Sequence, residues 1–248
     1  MQVRVFETKQ EMGGEAAAAG AEVIHRAIDE RSSANVVLAT GASQFEILAA
    51  LATTEDIDWS QVTFSHLDEY IDMPITHPAS FRKYLKERFV DQLPIPPAAF
   101  HYIDAEGDGV AECERLSALV SAQPVDVAFV GIGENGHLAF NDPPADFETE
   151  QPYLVVELDE ACRRQQLGEG WFPTLDDVPR QAISMSIRQI LKSRRIICTA
   201  PDQRKAQAVR GTVDGPLTAD VPASILQTHD AATLYLDRPA ASLLSSTN

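Results

Sequence analysis

Residues Val130–Pro144 read VGIGENGHLAFNDPP. They follow Val125–Val130, a predominantly apolar run suited to a strand buried on both faces of a parallel sheet. Three glycines, one histidine and two acids then fall within fifteen residues. Open α/β sheets place their ligands at the carboxyl ends of such strands, where glycine-rich turns let the backbone approach a substrate. His137 has an ordinary pKa near 6.5 and exchanges protons at neutral pH. Asn135 and Asp142 stand close enough in sequence to orient it. The competing reading is a histidine that caps a helix or is satisfied in the core; the glycine density favours the functional one.

Working outward, strand-like runs alternate with helix-like segments across the 248 residues. Strands are expected at Val3–Phe6, Asn35–Thr40, Val62–Leu67, His101–Ile103, Val125–Ile132, Leu154–Leu158, Arg195–Ala200 and Thr233–Leu236. Helices are expected at Gln10–Arg31, Phe45–Ala52, Pro78–Phe89, Val110–Ser121 and Gln203–Gly211. This alternation predicts a three-layer αβα fold with a mainly parallel, Rossmann-like central sheet. Residues 1–248 read as a single α/β domain. Asn141–Pro179 is less regular, and about 142–180 is expected to form an active-site lid; a surface excursion anchored by Trp171 and Phe172 is the alternative. Ser245–Asn248 is expected as a frayed tail.

An apolar fraction of 44% supports a sizeable core, and no apolar run reaches the length of a membrane span. The net charge of −17 argues against nucleic acid and anionic membranes as partners. Cys113, Cys162 and Cys198 are odd in number and widely spaced, with neither a metal-ligand nor a disulfide pattern. No metal or organic cofactor is signalled, and a cytoplasmic setting is expected.

Three further stretches carry candidate chemistry. In LATGASQFE (Leu38–Glu46) a strand runs through a Gly-Ala-Ser turn into a helix. Backbone N–H groups of Gly41, Ala42 and Ser43, with the Thr40 and Ser43 hydroxyls, could bind a phosphate; a plain Ser43 helix cap explains the pattern as well. In FSHLDEY (Phe64–Tyr70), Asp68 and Glu69 follow a strand. They read as a solvated turn, or as a cleft carboxylate that moves a proton on carbon. Lys205 in DQRKAQAV (Asp202–Val209) opens a helix, where the helix dipole does not favour a cation. An anionic ligand would explain it; so would a solvated surface lysine.

Together these segments resemble the glucosamine-6-phosphate deaminase family, within the larger group that also holds the 6-phosphogluconolactonases. LDEYIDMPITHPASF (Leu67–Phe81) and GIGENGHLAFNDPP (Gly131–Pro144) carry the resemblance, with ATGAS, QRKA and PASILQTH agreeing in order. It implies conversion of glucosamine 6-phosphate to fructose 6-phosphate and ammonia. Asp68 would carry the carbon-2 proton to carbon 1. His137 would open the ring, supported by Asp142 and Asn135. Thr40, Gly41, Ala42, Ser43, Gly136 and Lys205 would bind the phosphorylated aminosugar. Asn135 stands where the family often has aspartate, and Asp142 where it usually has glutamate. Arg163 and Arg164 lie near the position of a family lid arginine, without a clear match. A homo-oligomer is compatible with the resemblance. A lactone hydrolase and a non-catalytic sugar-phosphate binder remain alternatives.

Overall fold

The computed structural model describes residues 1–245; most of the expected tail, 246–248, lies outside the described residues. The chain opens with β1 (Gln2–Phe6), α1 (Lys9–Arg31), β2 (Ala34–Leu38) and α2 (Phe45–Ala52). Then come β3 (Val62–His66), β4 (Asp68–Tyr70), α3 (Phe81–Arg88), β5 (Ala99–His101), α4 (Gly109–Ala122) and β6 (Val127–Gly131). The second half holds β7 (Tyr153–Glu157), α5 (Glu160–Gly168), β8 (Gln181–Met185), α6 (Ile187–Leu191) and β9 (Arg195–Ala200). It closes with α7 (Ala206–Val213), β10 (Ala232–Asp237) and α8 (Arg238–Ala241).

Seven strands form an all-parallel sheet in the order β1-β10-β9-β6-β2-β3-β5. Side chains alternate between its faces along each strand. Val36, Val127, Phe129 and Ile197 face one layer with Met12, Ile24, Ile47 and Leu51 of α1 and α2. Val37, Ala128, Val130 and Cys198 face the other, with Leu116 of α4, Ile190 of α6 and Val209 of α7. The expected three-layer αβα fold is therefore present. From β2 the chain builds outward through β3 to β5; it then returns to β6 and builds the other way through β9 to β10. This reversal opens a crevice between the carboxyl ends of β2 and β6, where open α/β sheets bind ligands.

The sequence did not suggest the second sheet, three antiparallel strands in the order β4-β8-β7. The expected strand Val62–Leu67 ends at His66, and Asp68 begins β4 in this smaller sheet. Nor is the expected lid region a loose excursion. It contains β7 and α5 and shares a core of Tyr70, Phe81, Phe140, Cys162 and Phe172. Phe172 meets the Tyr70 ring edge-on at 5.6 Å. Helix α5 has a sound start, with the Asp159 carboxylate accepting from the Cys162 N–H at 2.5 Å. Its sequence, EACRRQQLG, shows little apolar periodicity, which is why it read as irregular.

Gly13 sets how closely α1 meets α2. A methyl group there would lie 2.5 Å from Glu46 Cβ and 2.8 Å from the Glu46 carbonyl carbon. Because α2 follows the Gly41–Ser43 turn, this contact also fixes the crevice. Gly13→Ala should lower unfolding free energy by about 1–3 kcal/mol through overpacking. Gly14→Ala, with nothing within 4 Å of its added methyl, should raise it by up to about 1 kcal/mol through helix propensity. Urea denaturation of both variants checks the pair.

Candidate active site

The crevice forms a partly open cleft at the sheet's switch point. Its lining includes Thr40, Gly41, Ser43, Asp68, His137 and Lys205, so residues from four separate chain segments meet there. Ala42, Asn135, Gly136 and Asp142 do not line it.

At one end the chain leaves β2 through Gly41, whose φ of +90° suits glycine, into a short 3-10 turn Ala42–Gln44. Among the described residues, the N–H groups of Ala42 and Ser43 donate to no protein acceptor. Ala42 could therefore act through its backbone alone. Ser43 is not a helix cap. Its Oγ accepts from Gln44 Nε2 at 3.0 Å, and that amide also donates to Thr199 Oγ1 at 2.9 Å. A methyl group on Gly131 would lie 2.9 Å from Ser43 Oγ, so glycine there makes room for the turn. The Tyr84 hydroxyl of α3 donates to the Gly41 carbonyl at 2.8 Å. Lys205 is 4% exposed and ends a 3-10 turn just before α7. Among the described residues, no carboxylate lies within 4.0 Å of its ammonium. Burial pushes that ammonium's pKa down, while Glu169 and Glu134 pull it back up. A buried, unpaired cation beside free N–H groups makes an anion seat.

At the opposite wall sits His137. Its Nδ1–H donates to Asp142 Oδ1 at 3.0 Å, leaving Nε2 as the proton acceptor. Asp142 also accepts from Asn135 Nδ2 at 3.1 Å and from the Asp159 N–H at 3.1 Å. Burial alone would raise the Asp142 carboxyl, but these donors outweigh it and hold it below the ordinary carboxylate value. Asn135 makes no hydrogen bond to the imidazole. Its Oδ1 accepts from the His137 backbone N–H at 3.1 Å, so it braces the turn and Asp142. Gly133 is bare because His137 lies against it: a methyl there would be 2.3 Å from Nε2. Gly136, expected in substrate binding, makes a tight turn at φ +88° against Val221.

Asp68 and Glu69 are both buried, at 7% and 0% exposure, which overturns the solvated-turn reading. Neighbours on a strand face opposite ways. Glu69 accepts from Ser80 Oγ at 2.8 Å, the Arg82 N–H at 3.0 Å, the Phe81 N–H at 3.2 Å and the Tyr70 N–H at 3.0 Å. It thereby ties β4 to the first turn of α3. Asp68 faces the cleft, and its Oδ1 is buried with no hydrogen-bond partner. Burial, with Glu69 adding to it, raises the Asp68 carboxyl to about 8. A carboxylate with so few donors is a strong base for its type.

Neither Arg163 nor Arg164, the arginines near the position of a family lid arginine, lines the cleft. The Arg163 guanidinium clips the lid together, donating to Leu175 and Val178 carbonyls at 2.5 and 2.9 Å. Arg164 pairs with Glu160 on the surface. The cation that lines the cleft beside Lys205 is Arg204, 3.6 Å from Glu134. Gln165, Gln166 and Glu169 of the lid also line it. Sequence reasoning missed them because α5 itself was not expected. Cys162 was missed too. His137, Asp142 and Cys162 offer ligand atoms within 4.8 Å of one another, a separation a metal ion could span. Asp142 is occupied by three donors, however, and burial pushes the Cys162 thiol far up, so the trio reads as hydrogen-bond support for the histidine.

An unpaired buried cation beside free N–H groups, a supported histidine and an unpartnered carboxylate meet at the sheet's switch point, a set suited to acid/base chemistry on an anionic ligand. The chain belongs to the family of glucosamine-6-phosphate isomerases and 6-phosphogluconolactonases, whose profile matches residues 7–235. It is 41% identical over 212 residues to a glucosamine-6-phosphate deaminase of Halothermothrix orenii, covering 84% of this chain and 86% of the relative. A Streptococcus pneumoniae glucosamine-6-phosphate deaminase is 39% identical over 207 residues, with the same coverage. A solved monomeric glucosamine-6-phosphate deaminase superposes with a TM-score of 0.89 at 34% identity, covering 98% of this chain and 100% of that one. The Trypanosoma brucei 6-phosphogluconolactonase gives 0.79 at 17% identity, covering 98% of each chain, a likeness of fold alone.

Because the Asp68 carboxyl is raised from 3.8 to about 8, the folded chain keeps a proton there that the unfolded chain releases. Its stabilising contribution is complete below the lower value and is lost as pH rises through the upper one. Asp68→Asn removes this slope. The variant's Tm should gain on wild type by several degrees between about pH 5 and pH 8.5. An equal Tm difference at both ends would contradict the raised carboxyl.

Proposed function

We propose that this chain is a glucosamine-6-phosphate deaminase, converting glucosamine 6-phosphate and water to fructose 6-phosphate and ammonia. The observation that carries the reading is the convergence of Asp68, His137 and Lys205 on one cleft of a chain with deaminase relatives near 40% identity. The phosphate would lie on the Gly41–Ser43 turn with Lys205, through charge-assisted hydrogen bonds that offset the acidic protein's field. That anchor leaves carbon 2 within reach of Asp68. His137, its Nδ1–H held by Asp142, takes the proton of the anomeric hydroxyl and returns one to the ring oxygen, giving the open-chain aldehyde. The aldehyde acidifies the carbon-2 hydrogen. Asp68 removes it as the carbon-2 ammonium passes a proton to O1, giving an enolamine, and delivers the hydrogen to carbon 1. Water adds to the resulting carbon-2 imine, and ammonia leaves. A positioned acid or base is worth roughly 10²–10⁴-fold.

Residues 1–245 act as one α/β unit in which the segment at about 142–180 roofs the site. No helix among the described residues is long and apolar enough to cross a membrane, and the three cysteines are unpaired and buried. These observations support a cytoplasmic site of action.

Purified protein should release ammonia from glucosamine 6-phosphate and leave 6-phosphogluconolactone no faster than its spontaneous hydrolysis. The reverse result would move it to the lactonase branch. Asp68→Asn should lower kcat by at least about 10³-fold while inorganic phosphate still competes for the site. Lys205→Ala should act mainly on KM, raising it at least about tenfold; an unchanged KM would remove Lys205 from the phosphate seat.

A further inference from the structure

One acid faces the anion seat. A methyl group placed on Gly41 would meet a single atom within 4 Å, Glu169 Oε2 at 3.8 Å. Glu169 lines the same cleft as Lys205, Arg204 and Ser43. Its position is electrostatically costly on its own element. It follows the last residue of α5, where unsatisfied carbonyls make a negative end that repels a carboxylate. Attraction must come from elsewhere, and the elements around it supply Lys205 and the free N–H groups of the turn. Burial of Lys205 without a close ion-pair partner makes this attraction stronger than a surface pair would be.

The hold is light. Glu169 Oε1 accepts from Gln165 Nε2 at 3.4 Å, and Gln165 in turn accepts from the Glu134 N–H at 2.7 Å. The next residue, Gly170, sits at φ +85° and is free of contacts within 4 Å at its Cβ position. The carboxylate can swing away without unwinding α5, whose amino end stays pinned by the Asp159–Asp142 contact.

We propose that Glu169 is a built-in competitor for the phosphate seat: in the free protein its carboxylate stands beside the Gly41–Ser43 turn and offsets the charge of Lys205 from beyond contact distance, and the incoming phosphate displaces it. The inference rests on the phosphate-seat reading above. It gives Glu169 a role in specificity. A dianion that makes several charge-assisted bonds displaces the carboxylate, whereas a singly charged anion gains little by the exchange. Affinity for every anion is held below what the seat alone would give, which favours release of the product phosphate ester.

Titration calorimetry with inorganic phosphate tests this in wild type, Glu169→Gln, Lys205→Ala and the double variant. Glu169→Gln should tighten phosphate about five- to tenfold, since a partly exposed charge interaction is being removed. It should also narrow the preference for phosphate over acetate and lower KM for the aminosugar phosphate in parallel. Lys205→Ala should weaken phosphate and abolish the gain in the double variant. If Glu169→Gln leaves phosphate affinity unchanged or weaker while Lys205→Ala still reduces it, the displacement role is overturned and the phosphate seat stands. If Lys205→Ala has no effect either, both the seat and this inference fail.

Discussion

Everything in the cleft depends on how two adjacent carboxylates divide the available hydrogen bonds. Glu69 takes four donors and an Arg82 guanidinium nitrogen at 3.4 Å, and becomes a structural anchor. Asp68, one residue earlier and turned to the opposite side, is left with a buried oxygen that has none. Burial of one carboxylate without donors would be hard to sustain if its neighbour did not secure the backbone on both sides. Arg82 extends that anchor to the Met73 carbonyl at 2.5 Å and to Glu106 at 2.8 Å. The strained electrostatics of the base are thus held by an adjoining, well-satisfied network.

The same anchor reaches the anion seat. Helix α3 begins on Glu69 and carries Tyr84, whose hydroxyl holds the Gly41 carbonyl. On the other side, α5 spans the cleft. Its amino end supplies the Asp159 N–H to Asp142 behind His137, and its carboxyl end carries Glu169 toward Gly41. Asp68, His137 and the Gly41–Ser43 turn therefore share supports, although they come from distant parts of the chain. Asn135 and Asp142, the two departures from the family's more familiar residues, fit this arrangement. The shorter Asp142 side chain reaches His137 at 3.0 Å, and the Asn135 amide adds a donor to it.

The parallel sheet was legible because its strands are apolar and rich in β-branched residues, and because glycine-rich turns follow them. Thr40–Ser43, His137 and Lys205 stood out for that reason, each at a strand end or helix start. Of the small sheet only β7 was legible, as the expected strand Leu154–Leu158. QAISM of β8 is buried by small residues, and no β-branched run marks it. Helix α5 lacked apolar periodicity, so Gln165, Gln166, Glu169 and the buried Cys162 went unnoticed. The separate fates of Asp68 and Glu69 follow from strand alternation, but the donors that decide them, Ser80 and Arg82, come from the next helix. Arg204 shows the same limit: its neighbour Lys205 was singled out, yet only the packed cleft shows that both line it.

Transfer of a carbon-bound hydrogen tests the central claim most directly, that one buried carboxylate carries the proton from carbon 2 to carbon 1. Glucosamine 6-phosphate deuterated at carbon 2 would be turned over in ordinary water and the fructose 6-phosphate examined by NMR early in the reaction. Because Asp68 is shielded and has few partners through which to exchange its proton, part of the deuterium should appear at carbon 1. A product whose carbon-1 hydrogens come wholly from water, with no label transferred, would contradict the assignment.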